Sequence, residues 1–440
     1  MTAITRRRAK FIDASRINRC LCLAVLPLSL AACQSYAPVP LPQSTDYAQL
    51  AGEAPEELLS LAEVASWAVQ HNPDLVTARA EKDVAQAQAF QAGLLPDPQF
   101  TASLEHPTSA ATVNGYALGL SEELQALLTR PARHAAALAS ADQAKLNLLW
   151  EEWQTIEQAT SLAVQKALNE QKAAMLLEQS QILLAQSARS QRALERGNRT
   201  VESAGTDLAG ALDTTTRQNA AARDALANDV ALKRLLNLAP EAMLTIAELP
   251  QPPEISHDEV EKALINVAKT RPDLLALKAG YQAQEENVRT AILQQFPAVT
   301  LGFEKGEDVE GAHNLGFSVA VNLPLFGNTQ AVIRTQEASR TGLRAEYQAR
   351  LDSTTADAWH VWREIQLLKK QIALLNDKLP ALQQMAAVSA KAYANGDLAP
   401  ATYILLQTQL QAQKSDLIDL QAARWTDTIA LSLLLAKPLF

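Results

Sequence analysis

The sequence predicts a mainly α-helical protein with a small β part, built from two copies of one helix-helix-strand-strand-long helix-long helix unit. Three observations predict it: an internal repeat at fixed offset, two very long stretches nearly free of helix breakers, and four short segments of period-two alternation.

The repeat comes first. His71-Asn72-Pro73-Asp74-Leu75 is echoed 199 residues later by Thr270-Arg271-Pro272-Asp273-Leu274. The same offset relates Pro98 to Glu105 with Pro297 to Glu304, Leu124 with Leu323, and Arg196-Gly197-Asn198 with Asn395-Gly396-Asp397. So long a period means a duplicated domain, not a solenoid of short repeats. Trp150 and Trp153 lie 209 residues before Trp359 and Trp362, outside the register, and are not counted as part of it. Pro250, Pro252 and Pro253 mark a linker. The expected organisation is 1–32 signal, 33–56 tether, 57–240 first repeat, 241–256 linker and 257–440 second repeat.

Within each copy, Pro73 and Pro272 suit the first turn of the second helix, where proline loses no intrahelical bond. From Pro131 to Gly197 no further proline or glycine occurs, which predicts a rod on the order of 100 Å. The matching stretch from Asn328 to Asn395 is interrupted only by Gly342 and by Pro380, and at Pro380 a kink or hinge is expected. Trp362, Ile365, Ile372, Leu375, Leu379, Leu382 and Ala386 alternate threes and fours as a coiled-coil seam does. Leu406, Leu410, Leu417 and Leu420 repeat that pattern after the reversal. Abundant alanine lets such helices pack closely.

The four alternating segments place Phe100, Ala102, Leu104; Tyr116, Leu118, Leu120; Val299, Leu301, Phe303; and Leu315, Phe317, Val319, Val321 on one face. The opposite face carries Thr101, Ser103, Glu105, Thr300, Glu304 and Ser318 among small residues. At about 9 to 11 residues each, the segments have the length of tilted membrane-spanning strands. Both copies place a hairpin directly before a rod too long to fold back over it, so the apolar face points to lipid. A four-stranded sheet leaves open edges that hydrocarbon cannot satisfy, which demands closure by further copies.

At the N-terminus, Arg6, Arg7, Arg8 and Lys10 precede an apolar stretch from Leu21 to Ala32 that contains Pro27 and ends at Leu30-Ala31-Ala32-Cys33. It is too short to span a membrane and reads as a cleaved lipoprotein signal, with Cys33 as the lipidated residue. Gln34, where an Asp is absent, favours the outer membrane in the way bacterial lipoproteins are sorted. Cys20 and Cys22 leave with the signal, so no disulfide or cysteine metal site forms within the mature chain.

Composition narrows the function further. With 39 basic against 48 acidic residues, the chain lacks the basic balance of a nucleic-acid binder. Although 48% of residues are hydrophobic, mean hydropathy is near zero. His71, His106, His134, His257, His313 and His360 show no ligand spacing, so no metal site is expected. Glu105 and Glu304 occupy equivalent hairpin positions and read as pore lining rather than a catalytic pair. Without a nucleophile elbow, phosphate loop or dinucleotide fingerprint, no catalytic residue is assigned and no cofactor is expected beyond the lipid on Cys33.

Asn72-Pro73-Asp74-Leu75, Leu95-Pro96-Asp97-Pro98, Arg271-Pro272-Asp273-Leu274, Leu323-Pro324-Leu325-Phe326 and the glycines Gly197 and Gly396, in this order, resemble the TolC-like outer-membrane efflux proteins. The resemblance runs from about Leu58 to Leu435, and Leu95 to Pro98 leading into Leu104-Glu105 looks most like the heavy-metal-efflux branch. It implies a homotrimer with a 12-stranded barrel continued by an α-helical barrel, a periplasmic adaptor and an inner-membrane pump. It also implies that Arg196, Gly197, Asn198, Arg199, Asn395, Gly396 and Asp397 form the periplasmic tip that meets the adaptor. The rival readings are a periplasmic adaptor, which would carry one hairpin between β modules, and a structural coiled-coil lipoprotein, which would lack strands in register.

Overall fold

The computed structural model describes residues 36–47, 58–108, 113–323 and 326–439. It comprises two units, Met1–Asp46 and Tyr47–Phe440. In the first, residues 36–46 are exposed and form neither helix nor strand. The signal, Cys33 and Gln34 lie outside the described residues, as do Pro324 and Leu325.

The second unit runs β1 (Leu58–Leu59), α1 (Leu61–His71), α2 (Pro73–Gly93), β2 (Gln99–Glu105), β3 (Gly115–Glu123), α3 (Leu124–Glu195) and α4 (Val201–Leu235). After β4 (Thr245–Ile246) the order recurs as α5 (His257–Thr270), α6 (Pro272–Leu293), β5 (Ala298–Glu307), β6 (His313–Asn322), α7 (Asn328–Ala394) and α8 (Pro400–Leu434). The expected element order is therefore present, and α4 and α8 share the 199-residue offset at both ends. Their last turns do too, since Asn237 and Ala436 adopt φ of 54° and 50°. There the Leu238 amide donates to the Lys233 carbonyl at 2.8 Å and Lys437 to Ser432 at 2.9 Å.

Local chemistry explains the starts. α1 and α5 open on capping boxes, Ser60 with Glu63 and Ser256 with Glu259. Pro73 and Pro272 occupy the first helical position of α2 and α6, but the two caps differ. Asn72 Oδ1 accepts the Asp74 and Leu75 amides at 2.9 and 3.1 Å. Arg271 cannot do this; Asp273 takes the Leu274 amide instead and holds Arg271 Nε at 2.7 Å, with the guanidinium 4.6 Å from the Trp150 ring. Trp150 thus serves a partner that the first copy lacks, whereas Trp359 and Trp362 pack against His257. The two tryptophan pairs do different jobs, which is why they break the register.

Two expectations need correction. The first rod begins at Leu124, straight out of β3, so Pro131 lies inside α3 and not at its start. The 72-residue helix runs on past it with the Leu127 carbonyl lacking its helical donor, and Arg133 donates to the neighbouring Ala126 carbonyl at 3.0 Å. The strands are also shorter than expected at one edge, since β2 has 7 residues against 9, 10 and 10 for the others. β2 and β5 both start directly after a proline, Pro98 and Pro297, so the difference lies at the far end, where β2 stops at Glu105 and Pro107, lacking a donor for the ladder, follows.

On α7 the most buried apolar positions are Ala358, Ile365, Leu368, Ile372 and Ala386, with Leu375, Leu379 and Leu382 half-buried between the last two. This seam faces α8, which buries Ile404, Leu410, Ile418 and Trp425, so the buried line on α8 only partly follows the expected leucines. α8 also packs against α3 and α4, and a helix with several neighbours buries more than one stripe. The main core gathers α1, α3, α4 and α8 around Val64, Val164, Leu232 and Ile429. Burying each such side chain is worth about 1.5 to 3 kcal/mol.

Candidate functional site

Two places carry the expected functional residues: the sheet and the helix reversals. β2, β3, β5 and β6 form one antiparallel sheet in that order, so the hairpins of the two copies meet at β3 and β5. Phe100, Leu120, Phe303 and Phe317 form one cross-strand row, and Thr101, Gly119, Glu304 and Gly316 the adjacent row on the other face. The alternation is therefore continuous across all four strands. Both faces are open, save where α3 begins under β5 and Gln125 donates to the Phe296 carbonyl at 2.9 Å. Leu104 is 87% exposed and Phe317 84%, so water-excluding contacts for this face do not come from the chain itself. β2 and β6 leave two free edges.

The opposite face carries Thr101, Ser103, Glu105, Glu304 and Ser318 exposed, with Thr300 half-buried near the base. Its charges are acidic. Among the described residues no helix is long and apolar enough to cross a membrane.

At the far end, α3 and α7 reverse through matching turns. Gly197 has φ of 73° and Gly396 of 84°, values that favour glycine. The Asn198 amide donates to the Ala193 carbonyl at 2.8 Å and Asp397 to Ala392 at 2.9 Å, which closes each helix with the 6→1 bond of a Schellman turn. A Cβ at either glycine would meet nothing within 4 Å, so the conformation alone imposes glycine there. Arg196, Asn198, Asn395 and Asp397 are exposed.

Arg199, expected among the exposed contact groups, is drawn inward instead. It donates to Asp207 on α4 at 2.8 Å and to Ser190 on α3 at 3.0 Å, because a carboxylate with no solvent exposure needs a cation. Arg199 and Gln186 both donate to the Tyr393 hydroxyl on α7, and the Tyr393 ring stacks on Tyr403 of α8 at 4.6 Å. Burial, and next the nearness of Tyr393 and Asp207, pushes the Tyr403 hydroxyl up. The cluster thus ties the first helical hairpin to the second. Nearby, a Cβ at Gly210 would come within 2.6 Å of Ile404, so glycine permits the closest approach of α4 and α8. Tyr393 and Gly210 escaped the sequence reading because their partners lie about two hundred positions away on the other copy, and Asp207 because nothing local marks its carboxylate as buried beside Arg199.

Pro380 stands within an α7 that continues past it, leaving the Asn376 carbonyl without its helical donor. One group among the described residues brings ligand-type atoms together: His257, Asp258 and Glu261 lie within 4.8 Å of one another. All three are exposed near the start of α5, where acidic residues such as Asp258 favour the helix terminus, and His257 is used in packing on Trp359.

Residues 264–437, most of the second repeat, match the family model described as outer membrane efflux protein. Over these residues the chain is similar to that family. Solved structures share its fold. The outer-membrane channel OprN aligns at TM-score 0.74 and 14% identity, over 92% of this chain and 100% of that one. The CmeC outer-membrane channel of Campylobacter jejuni aligns at 0.72 and 14%, over 92% and 95%. The outer-membrane protein VceC of Vibrio cholerae aligns at 0.69 and 20%, over 86% and 97%. A comparison with curated protein sequences found no match. The family model covers only the second copy, and the 199-residue offset carries the same unit back to the first.

Proposed function

We propose that the chain is the exit channel of an efflux assembly in the bacterial outer membrane. Three copies close their four-stranded sheets into a 12-stranded barrel, and α3, α4, α7 and α8 continue it as a helical tunnel. One observation carries this reading: a two-faced sheet, open on its apolar face and at both edges, set directly on rods of 72 and 67 residues. Hydrocarbon satisfies the apolar face, and only closure satisfies the edges. Thr101, Ser103, Glu105, Thr300, Glu304 and Ser318 then line the lumen. The relatives by fold, described as outer-membrane channels, agree with this use.

Cys33 carries the lipid, and the helical part stands in the periplasm. The tip residues Arg196, Gly197, Asn198, Asn395, Gly396 and Asp397 meet a periplasmic adaptor that links the channel to an inner-membrane pump. Arg199 acts from behind them through Asp207 and Tyr393, and Pro380 is the hinge about which the second hairpin moves outward. Conduction is passive. Heavy-metal cations are the substrate class that the Leu95-Pro96-Asp97-Pro98 resemblance favours.

Protein purified from outer membranes is expected to run as a heat-sensitive trimer and to give ion conductance in planar bilayers. A monomer, or a trimer without conductance, would overturn the channel reading. An adaptor or a coiled-coil lipoprotein would give that second result, having no paired two-faced hairpins to close.

A further inference from the structure

Among the four strands of the sheet, Lys305 is the only Lys or Arg. It lies on the apolar face, not on the acidic one. The register sets it in one row with Ala102, Leu118 and Leu315, directly outside the row of Phe303. The next row toward the hairpin turns holds Leu104, Tyr116, Glu307 and His313. Lys305 is exposed, and among the described residues no carboxylate pairs with it; the Glu307 carboxylate lies 3.8 Å from His313 Nδ1.

A second copy cannot supply the missing anion. β5 is an inner strand, flanked by β3 and β6 of its own chain, so closure brings neighbours to β2 and β6 and none beside Lys305. The row's position explains how a cation is tolerated. A lysine on the lipid face of a barrel costs about 2 to 4 kcal/mol at mid-bilayer but only about 0 to 1 near an interface. Outward of Lys305 the face turns polar at Glu307 and His313, and inward it is apolar through the Phe303 row to Val299 and Val321, with Glu122 beside Leu301 as its one inner charge, so this row sits where hydrocarbon ends. The four-carbon stem lies along Leu118 and Leu315 while the ammonium reaches the headgroups.

Resting on the barrel reading above, we propose that Lys305 binds the phosphate of an anionic lipid headgroup in the outer leaflet, one in each copy, and so fixes the height of the barrel. The partner is a lipid rather than free phosphate, because the ammonium emerges from an apolar wall that acyl chains cover.

The test uses the full-length trimer in phosphatidylcholine nanodiscs doped with phosphatidylglycerol, read by native mass spectrometry of the lipid retained per trimer. Lys305→Gln should lower retained phosphatidylglycerol about five-fold per site. Lys305→Arg should keep it, and excess inorganic phosphate should not displace it. Conducting trimers of Lys305→Gln that retain as much phosphatidylglycerol as wild type overturn the lipid site alone. Absence of trimers in the wild type overturns the barrel, and the site with it. Displacement by inorganic phosphate overturns the choice of a lipid. Should Lys305→Gln fail to assemble, retention by the wild-type trimer decides between low and high salt, where screening weakens an exposed contact; no loss at high salt overturns the inference.

Discussion

Asp207 shows how a single buried residue can anchor a cluster that joins two copies of a repeat. Its carboxylate is fully buried, one oxygen is held by Arg199, and the other has no hydrogen-bond partner among the described residues. Removing it with Asp207→Ala leaves Arg199 half-buried without a counter-ion, and for a guanidinium still 22% exposed the local loss is about 1 to 3 kcal/mol. Trimers should still form, while amide exchange across residues 186–210 accelerates and conductance rises; unchanged exchange and conductance would show that the cluster does not hold the tip closed. Asp427 offers a pH-dependent counterpart. Burial first, and Glu364 second, push its carboxyl up to about 6. The folded pKa lies above the unfolded one, so its favourable contribution is complete below about pH 4 and is lost as pH rises through about 6. Asp427→Asn should flatten the fall of Tm over that window and add about 1 kcal/mol near neutral pH, discounted for partial exposure. A Tm profile identical to wild type would remove Asp427 from this role.

At the scale of elements, the strands and the rods answer different forces. Leu301 and Thr300 are neighbours in β5 that project to opposite faces, beside Val319 and Ala320. Leu301→Arg should cost about 2 to 4 kcal/mol in every copy and remove the protein from the outer-membrane fraction. Thr300→Arg, on the lumen side, should leave it there. Equal fractionation of the two variants would end the assignment of faces. The rods were plain in the sequence because one signal, a long run free of breakers, has one reading. Their neighbours were not: the exposed Leu367, Leu374 and Val388 on α7 form a second stripe, seven residues apart or a multiple of it, that no helix of the same chain covers. The inward bonds of Arg199 were hidden for a related reason, since a charged residue in a turn gives no sign of its buried partner.

For the whole molecule, the proposed channel specifies attachment to the membrane twice, once by lipid on Cys33 and once by closure of the sheet. Cys33→Ser should abolish acyl labelling while trimers still reach the outer membrane, because the barrel alone removes a large apolar surface from water. Labelling that persists, or a mature N-terminus elsewhere, would show that the lipid is not on Cys33. The length of the tunnel is set by α3 and α7, about 108 and 100 Å at 1.5 Å per residue. That far exceeds a bilayer and suits a periplasmic duct.

By itself the sequence determined the duplication, the order of elements, the two-faced strands and the glycines at the reversals. Each rests on short-range physics: proline and glycine act on their own dihedrals, and alternation is fixed by the pleat. Only the tertiary structure decided which strands pair across the copies, bringing β3 beside β5 and Lys305 between Leu118 and Leu315. It alone decided that Arg199 turns inward to Asp207 and Tyr393, and that Gly210 admits Ile404. The contacts between the copies, Arg199 with Tyr393, Gly210 with Ile404 and β3 with β5, join residues about two hundred positions apart, and no local pattern encodes them. They form because a buried charge must find its counter-charge and an unpaired strand its neighbour, wherever along the chain these lie.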